Sequence, residues 1–182
     1  MEPICQAGLQ AILDRESIRE CLYRYCRGID RADEAILRST YWPDATDCHG
    51  AYRGSADGFI VQAITHLQRG GRGVHQVSNI LIELHGDVAA VESSFLALQA
   101  SAAQPEIETF LAGRYVDRFE KRDGQWRVAQ RTVVYDWIEA RQRPELADDD
   151  VSLFGSRQPT GERSKADPVY ALLERVRAGR RD

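Results

Sequence analysis

The spacing of apolar residues in the first part of the chain predicts an amphipathic helix. Between positions 9 and 26, apolar side chains recur at steps of three and four residues, which places them on one helical face that can pack against a core. Gly28 is expected to end this helix, because glycine readily adopts the conformation of a helix terminus. The pattern therefore predicts that Ile29 and Asp30 follow the helix in a connecting segment.

Two further helices are predicted before the character of the sequence changes. A short helix is expected over residues 32–41, with Pro43 just beyond its end. A short extended piece, residues 46–52, separates it from a third helix over residues 55–67, whose apolar residues again have helical spacing. Glycines within the segment 70–73 break that pattern. The first third of the chain is thus predicted to be mainly helical.

The segment that follows has the two-residue period of β-strands. It is rich in Val, Ile, Tyr, Phe and Trp, and turn signals interrupt it at Gly86 and at the pair Asp123-Gly124, a strong signal for a tight hairpin. Four consecutive strands are therefore predicted, at residues 74–84, 88–101, 107–121 and 125–138. Since no helical segment separates them, we expect an antiparallel meander and an α+β fold in which the helices precede one long sheet.

The chain is predicted to contain one folded domain, residues 1–140, followed by a loop-rich extension, residues 141–182. The extension contains an acidic run and many Gly, Pro and Ser residues, and a short helix is predicted in it over residues 169–178. The apolar residues of that helix could dock on the domain or on a neighbouring subunit. The basic residues 175–181 are interpreted as a solvated terminus.

Composition narrows the class of protein. A chain of 182 residues with 43% hydrophobic content can bury one core, and its net charge of -4 lacks the basic excess of nucleic-acid-binding proteins. No stretch reaches the roughly 20 apolar residues that span a bilayer, and residues 1–15 show no signal-peptide pattern. A cytoplasmic protein that binds neither nucleic acid nor membrane is therefore predicted. The scattered Cys5, Cys21, Cys26 and Cys48 are interpreted as free thiols.

Sequence motifs for several common kinds of enzyme are absent. The sequence contains no Gly-x-Gly-x-x-Gly motif, no Walker loop, no Gly-x-Ser-x-Gly elbow and no His-Glu-x-x-His motif. Nucleotide-dependent chemistry, serine hydrolysis and metalloprotease chemistry are therefore disfavoured. Any chemistry would depend on side-chain acids and bases, and no cofactor and no metal ion are predicted.

Titratable residues at positions where apolar ones are expected are candidates for chemistry, because burying them without a partner is costly. Asp30 comes directly after the first predicted helix, where it could also cap the next helix. His75 opens the first long strand, and Asn79 lies four residues further on, hence on the same face of a regular strand. A histidine held by a hydrogen bond at a strand start would explain His75 equally well.

A second pair of titratable residues occurs in the short extended piece. His49 and Asp47 share one of its faces, although a polar hairpin edge would also account for them. Together with His75 and Asp30 they could supply nitrogen and oxygen ligands to a metal ion, which makes a metal-dependent enzyme an alternative. Their scattered spacing, however, contains no recognised metal motif.

Polar residues on the later strands are also candidates. Arg114 alternates with Phe110, and an inward arginine there could bind an anion or polarise a substrate oxygen, whereas a structural salt bridge is equally plausible. Arg131 and Tyr135 share a face of the last predicted strand and have the same two interpretations.

Five stretches of the sequence, taken together with the order of the predicted elements, resemble one known family. They are residues 25–30, 41–45, 75–79, 113–119 and 122–127, the last of which includes an Asp-Gly-x-Trp hairpin. The chain resembles, over about residues 9–137, the SnoaL-like proteins of the nuclear transport factor 2-like superfamily. That group contains scytalone dehydratase, hexachlorocyclohexane dehydrochlorinase and bile-acid 7α-dehydratase. The resemblance implies a cone-shaped fold, in which a strongly curved sheet wraps around the helices and leaves a deep apolar pocket.

The resemblance also implies roles for individual residues. Asp30 and His75 fall where the lyase members keep a catalytic Asp/His dyad, and Tyr25 falls where the bile-acid dehydratase type has a supporting tyrosine. His49 stands where the dehydratases carry a tyrosine that engages the substrate. Tyr25, His49 and Arg114 are therefore expected to protonate the leaving group or to hold its charge. Substrate contacts are expected from Tyr41, Trp42, Asp47, Asn79, Phe110, Arg131 and Tyr135.

The function implied by the resemblance is a cofactor-independent lyase that acts on a small hydrophobic cyclic or aromatic substrate. It would eliminate water, halide or a one-carbon fragment such as formaldehyde. Binding of a hydrophobic ligand without catalysis, and isomerisation of the ketosteroid isomerase type, are alternatives, because the same fold serves both. Apolar residues on both faces of the sheet, Val77 and Leu81 against Ile80 and Ile82, predict a homo-oligomer, for which the family favours a trimer.

Overall fold

A six-stranded sheet and the N-terminal helices form the body of the molecule in the computed structural model, which describes residues 6–142, 159 and 161–179. The helices are α1 (Gln6–Asp30), α2 (Glu34–Arg38), α3 (Ala56–Gln68) and α4 (Pro168–Arg177). The strands are β1 (Tyr41–His49), β2 (Tyr52–Ser55), β3 (Gly71–His85), β4 (Val88–Ser101), β5 (Ile107–Arg122) and β6 (Gln125–Gln142).

The strands follow the order β2-β1-β6-β5-β4-β3 across the sheet. β3, β4, β5 and β6 pair antiparallel in sequence order, which is the predicted meander. β1 pairs parallel with β6, so that Asp47 lies opposite Arg131 and Cys48 opposite Thr132. The predicted α+β class is confirmed, and the sheet is mixed. This pairing brings polar residues from the beginning and the end of the domain side by side.

The helix α1 continues past Gly28, so the prediction that this glycine ends the helix is wrong. The helix runs to Asp30, and Ala32 adopts the left-handed conformation that closes it, with a φ of 49°. The backbone N–H of Asp33 donates to the carbonyl oxygen of Gly28, and the N–H of Ala32 donates to that of Ile29. These two bonds form a Schellman motif, in which alanine occupies the position that glycine usually takes.

Gly28 instead gives α2 the room to approach α1. A Cβ atom at Gly28 would lie only 3.0 Å from the backbone N of Leu37. The Leu37 side chain is fully buried, so α2 is held against α1 at this contact. Asp30 is therefore the last residue of a packed helix, and the helix fixes where its carboxylate points.

The second predicted helix is shorter than expected, and the residues predicted at its end belong to a strand. α2 has five residues, and Tyr41 begins β1. Pro43 lies in the part of β1 where the pairing with β6 shifts between Tyr41 and Thr46. Proline fits there because an interrupted ladder requires no N–H donor. The third predicted helix is confirmed as α3, and Ser55 caps its N-terminus.

A β-bulge in β3 disrupts the regular alternation predicted from His75 onward. The pairing with β4 shifts between Ser78 and Leu81, and Asn79 has a positive φ of 49°. Beyond the bulge Ile82 is buried and Leu81 is exposed. The expectation that Asn79 shares a face with His75 is therefore wrong, because the extra residue interrupts the two-residue period.

The core lies between α1 and one face of the sheet. On the helix side, Ile18, Cys21 and Leu22 are almost fully buried. On the sheet side, Val91, Phe95, Tyr115, Phe119 and Val128 are buried in the same cluster. Val77 and Ile80, which were expected on opposite faces of β3, both pack against this cluster, because the bulge lies between them.

Polar contacts attach the described part of the extension to the helices. The hydroxyl of Tyr170 donates a hydrogen bond of 2.7 Å to Asp33, which also binds the ammonium group of Lys165. Arg31 pairs with Asp167 at 3.0 Å. Asp33 and Asp167 are both almost completely buried, so these contacts fix the extension firmly to the turn after α1.

Leu172 and Val176 of α4 are exposed and do not dock on the domain, whereas Val169 and Leu173 of the same helix are half-buried. Most of the predicted loop-rich segment, residues 143–158 and 160, and the end of the basic terminus lie outside the described residues.

Three of the four cysteines fall within the described part of the chain. Cys21, Cys26 and Cys48 are free thiols there, as predicted, whereas Cys5 lies outside it. None of the described helices is long and apolar enough to cross a membrane.

Candidate active site

The carboxylate at the end of α1 holds the imidazole near the start of β3. Oδ1 of Asp30 lies 2.7 Å from Nδ1 of His75, and Oδ2 accepts a hydrogen bond of 3.1 Å from the backbone N–H of the same histidine. The two side chains are only 12% and 11% exposed. The fold thus brings together two candidates that are separated by 45 positions in the sequence.

These contacts define the state of the His75 ring. An ionised carboxylate only accepts hydrogen bonds, so Nδ1 is the donor to Asp30, and in the neutral ring Nε2 is then the acceptor. The side-chain nitrogen of Gln99, on β4, lies 3.3 Å from Nε2 and can donate to it. An imidazole held in this way is oriented to accept a proton at Nε2.

His75 lines a cavity of about 400 Å³ between the end of α1, α3 and the neighbouring ends of β3, β4 and β5. This volume is within the range of about 300–1,000 Å³ that is typical of small-molecule sites. Apolar parts of the wall come from Ile29, Phe59 and Leu67. The polar side chains that line the cavity include Tyr25, His49, His66 and Gln99.

A second histidine and a second aspartate lie at the same cavity. The ring of His49 stacks on Phe59 with a centroid distance of 4.5 Å, and the aspartate behind it, Asp47, is fully buried. Nδ1 of His49 lies 3.5 Å from Oδ1 of Asp47, and neither atom has a hydrogen-bond partner among the described residues. Oδ2 of Asp47 accepts a hydrogen bond of 2.7 Å from the hydroxyl of Tyr41. Asp47 and Tyr41 therefore form a polar layer behind the cavity wall.

A buried arginine lies under Tyr25. Arg131 binds Asp117 through two hydrogen bonds of 2.8 and 2.6 Å, and both side chains are completely buried. Its guanidinium carbon lies 4.1 Å from the ring centroid of Tyr25 and 4.2 Å from that of Tyr115. Burial opposes the charge on Arg131, but the Asp117 carboxylate outweighs this effect and raises the pKa of Arg131. Arg131 thus supports Tyr25 from behind and does not line the cavity.

The tyrosines of the site remain protonated. Burial raises the pKa of Tyr25 and of Tyr41 well above the ordinary tyrosine value, even though Arg131 acts in the opposite direction. Burial also raises the pKa of Tyr135, whose ring lies 6.4 Å from that of His49. Each of them is therefore a neutral phenol that can donate a hydrogen bond.

Two of the candidates on β5 face away from the cavity. Arg114 pairs with Asp136 at 3.0 Å and with Glu92 at 3.2 Å on the opposite side of the sheet. Phe110 lies on that side as well, because it differs from Arg114 by an even number of positions, whereas its neighbour Thr109 lines the cavity. The alternation on β5 was predicted correctly, but the inward face is the odd-numbered one.

Two other candidates also lie outside the cavity. The indole N–H of Trp42 donates to the carbonyl oxygen of Glu120, and the ring packs against Arg122 and Arg127. Asn79 is exposed at the bulge in β3. Neither residue is placed to contact a ligand beside His75.

Most residues that line the cavity were not among the sequence candidates, and three polar ones, Gln99, His66 and Arg163, show why. Gln99 is the polar residue within the apolar stretch 95–100 of β4, and this signal was available in the sequence. His66 lies on the exposed side of a predicted helix, where a histidine is unremarkable. Arg163 comes from the extension, and no sequence pattern connects it with a cavity about ninety positions earlier in the chain.

The described residues form no group of three or more His, Cys, Asp or Glu side chains that is arranged to hold a metal ion. His49 and His75 each stand with one aspartate instead.

The fold is similar to those of several solved proteins. A hexachlorocyclohexane dehydrochlorinase, LinA type 2, is 20% identical and superimposes with a TM-score of 0.69 over 79% of this chain and 99% of that chain. A candidate scytalone dehydratase from Novosphingobium aromaticivorans is 18% identical, with a TM-score of 0.65 over 76% of this chain and 97% of that chain. A Mycobacterium tuberculosis protein of unknown function is 26% identical, with a TM-score of 0.59 over 91% of this chain and 93% of that chain.

Sequence comparison supports the same relationship. No curated protein sequence matches the chain significantly. A model of the SnoaL-like domain matches residues 10–132, which include both members of the Asp30 and His75 pair. With its fold, its cavity and this match over most of its length, the chain belongs to the SnoaL-like domain family.

Proposed function

We propose that the protein is a cofactor-independent lyase that acts on a small cyclic or aromatic substrate. The observation that carries this proposal is the Asp30–His75 pair, because Asp30 contacts Nδ1 of an imidazole that lines a cavity of about 400 Å³. An imidazole oriented by a carboxylate, in a cavity with both apolar and polar walls, is a general base suited to neutral pH. The similarity to proteins named as a dehydrochlorinase and a candidate dehydratase supports an elimination reaction.

In the proposed reaction, Nε2 of His75 removes a proton from a carbon adjacent to the one that bears the leaving group. The electron pair of the broken C–H bond forms a double bond, and the leaving group departs with its own bonding pair. The carboxylate of Asp30, at 2.7 Å, stabilises the imidazolium that results. Positioned proton transfer of this kind contributes about 10²- to 10⁴-fold to the rate.

Tyr25 and His49 are the proposed partners of the leaving group, since both line the cavity that contains His75. Tyr25 is a neutral phenol and can donate a hydrogen bond to a departing oxygen or halide. His49 can donate a proton from its ring when Asp47 stabilises the charged form. Water and halide are the leaving groups of this step. Release of formaldehyde requires that His75 removes the proton of a hydroxymethyl O–H group; the C–O double bond of formaldehyde then forms, and the C–C bond breaks with its electron pair left on the substrate, where it takes up a proton.

A homotrimer is part of the same proposal. Leu96, Val116 and Trp137 are exposed on the side of the sheet that faces away from the core. Across the neighbouring strands, Leu96 lies opposite Ala112, and Ala112 lies opposite Trp137. Leu96, Ala112 and Trp137 form a short apolar row, which the ion-paired Arg114 separates from Val116. Exposed apolar side chains of this kind favour burial against another subunit. Light scattering after size-exclusion chromatography measures the mass, and Trp137→Glu is expected to produce monomers if this surface is the interface.

The experiment that tests the lyase proposal uses His75→Ala and, as a matched control, His85→Ala at the exposed end of β3. Halogenated cyclohexanes and hydroxylated polycyclic aromatic compounds are incubated with each protein. Release of halide and loss of water or formaldehyde are followed by ion chromatography and mass spectrometry. We expect turnover by the wild type and by His85→Ala, and a loss of about 10²-fold or more in His75→Ala.

Two outcomes would contradict the proposal in different ways. Turnover by His75→Ala at the wild-type rate would show that another group is the base. Tight binding of the compounds by the wild type without any change in their mass would favour an isomerase or a non-catalytic binding protein. Isomerisation is then recognised by a change in the product's chromatographic retention at constant mass.

A further inference from the structure

An arginine from the C-terminal extension reaches the cavity of the Asp30–His75 pair. Arg163 precedes α4, in the segment that Asp33 and Asp167 hold against the turn after α1. Its guanidinium donates a hydrogen bond of 3.3 Å to the carbonyl oxygen of Gly70, at the junction of α3 and β3. A Cβ atom at Gly73 would lie 3.0 Å from Nη2 of Arg163, so a residue without a side chain leaves space for the guanidinium.

Arg163 differs from the neighbouring arginines in having no acidic partner. Arg31 pairs with Asp167 at 3.0 Å, and Arg72 pairs with Glu108 at 2.9 Å. Among the described residues no carboxylate oxygen lies within 4 Å of Arg163, and its Nε is buried without a hydrogen-bond partner. Burial lowers the pKa of Arg163, although Asp30 partly counteracts this. A half-buried guanidinium without a carboxylate partner among the described residues is therefore a favourable place for an anion to bind.

The position of Arg163 relates it to the proposed reaction. Arg163 lines the cavity of about 400 Å³ that contains His75, and it also lines the adjoining cavity of about 960 Å³ that contains Asp30. Gln99, which contacts His75, lines both cavities as well. A ligand whose ring lies beside His75 can therefore place its far end at the guanidinium.

The charge around Arg163 limits the kind of anion that fits. The adjoining cavity is lined by three acidic residues, Asp30, Glu108 and Glu162, and by four arginines, Arg163 among them. Its formal charge is therefore +1, which a ligand with a single negative charge neutralises. The planar guanidinium matches a planar carboxylate with two hydrogen bonds. A carboxylate carries one negative charge, whereas a phosphate monoester carries nearly two.

We propose that Arg163 is a specificity-determining residue that binds a carboxylate group on an aromatic or cyclic substrate. The proposal builds on the lyase function for the position of the ring, but it concerns binding and can be tested without turnover. The extension would then be a part of the substrate site and not only a solvated tail.

Isothermal titration calorimetry with 2-naphthoate and its neutral analogue 2-naphthamide tests this inference. The wild type is compared with Arg163→Gln, Arg163→Lys and, as a control for net charge, Arg177→Gln in the exposed last turn of α4. The wild type and Arg177→Gln are expected to bind naphthoate about 10- to 100-fold more tightly than naphthamide, as for a hydrogen-bonded ion pair. Arg163→Gln is expected to lose this preference, and Arg163→Lys to keep part of it.

Equal affinity of the wild type for the two compounds, or no measurable binding of naphthoate up to its solubility limit, would overturn the proposal. So would an unchanged preference in Arg163→Gln. Thermal unfolding of each variant verifies that it is folded, and Arg163→Lys preserves the charge if the glutamine variant is unstable. His75→Ala separates this inference from the lyase function, since it should keep the preference for naphthoate even if it also keeps full activity.

Discussion

Asp30 holds His75 at two points, the ring Nδ1 at 2.7 Å and the backbone N–H at 3.1 Å. One carboxylate thus fixes both the orientation of the imidazole and the start of the strand that carries it. The carboxylate is itself fixed, because it ends a helix that closes with a Schellman motif and packs on α2 through Gly28. The geometry of the proposed catalytic pair and the packing of α1 on α2 are therefore linked at this point.

Replacing Asp30 by Asn is expected to reduce kcat by about 10²- to 10⁴-fold, because the amide cannot stabilise the imidazolium and can reverse the tautomer of the ring. Steady-state kinetics on a substrate that the wild type turns over measures the effect. Asp87→Asn, in the exposed turn after β3, is the matched control and should behave like the wild type. Full activity of Asp30→Asn would rule out the pair as the catalytic unit.

Replacing Gln99 by Leu removes the donor that lies 3.3 Å from Nε2 of His75 while keeping a similar volume. The amide of Gln99 favours the neutral ring, so its loss is expected to change kcat/KM about 3- to 10-fold and to move the acidic limb of the pH profile to higher pH. A positioning role requires that shift, and a drop in rate with an unchanged profile would argue against it. Gln99→Glu adds a test. A second carboxylate near the ring stabilises the protonated imidazole and should therefore move the acidic limb of the pH–rate profile to higher pH.

Gly28→Ala is expected to lower the free energy of unfolding by about 1–3 kcal/mol, because the new Cβ would lie 3.0 Å from the backbone of Leu37 and would push α2 away. Gly8→Ala, near the start of the same helix, meets no atom within 4 Å. It should leave stability unchanged or raise it by up to about 1 kcal/mol. Urea unfolding compares the two variants, and equal effects would refute the packing role of Gly28.

Breaking the buried ion pair of Arg131 and Asp117 should lower the free energy of unfolding far more than breaking an exposed ion pair does. Asp117→Asn leaves the completely buried guanidinium without its counter-charge and is expected to lower the free energy of unfolding by about 3–5 kcal/mol. Asp136→Asn, which breaks the exposed pair with Arg114, should change it little. Chemical denaturation distinguishes them, and similar losses in both variants would contradict the burial argument.

Lowering the pH should weaken the contacts that hold the extension at Asp33. Burial alone would raise the pKa of Asp33, but hydrogen bonds from Lys165 and Tyr170 outweigh it and hold the pKa below the ordinary value of 3.8. A carboxyl group with a lowered pKa stabilises the folded state above that ordinary value and loses this effect as the pH falls through the lowered pKa. The contacts of Tyr170 should therefore weaken below about pH 4.

Nuclear magnetic resonance of the Tyr170 ring during acidification checks this expectation, and Asp33→Asn should show the loosened state already at pH 7. Hydrogen exchange of residues 161–179 in that variant should be faster than in the wild type. If hydrogen exchange of the extension is as slow in Asp33→Asn as in the wild type, contacts other than those of Asp33 hold the extension.

The local patterns of the sequence determined most of the architecture. Helical spacing and two-residue alternation predicted α1, α3 and the β3–β6 meander, because burial of an apolar face imposes a period on any such element. The resemblance to the SnoaL-like proteins indicated the pair Asp30 and His75, and the fold brings the two together. Gln99 could have been found by the same reasoning, as a polar residue on the inward face of an apolar strand.

Only the tertiary structure decided which residues depart from these patterns. The role of Gly28 depends on a second helix that approaches it, and the bulge at Asn79 depends on pairing with β4, so neither follows from local propensity. Alternation on β5 cannot tell the core face from the outer face, which is why Arg114 was expected inward. Arg163 reaches the cavity because contacts between distant segments hold the extension in place. A sequence period specifies which residues share a face, but only packing specifies what that face meets.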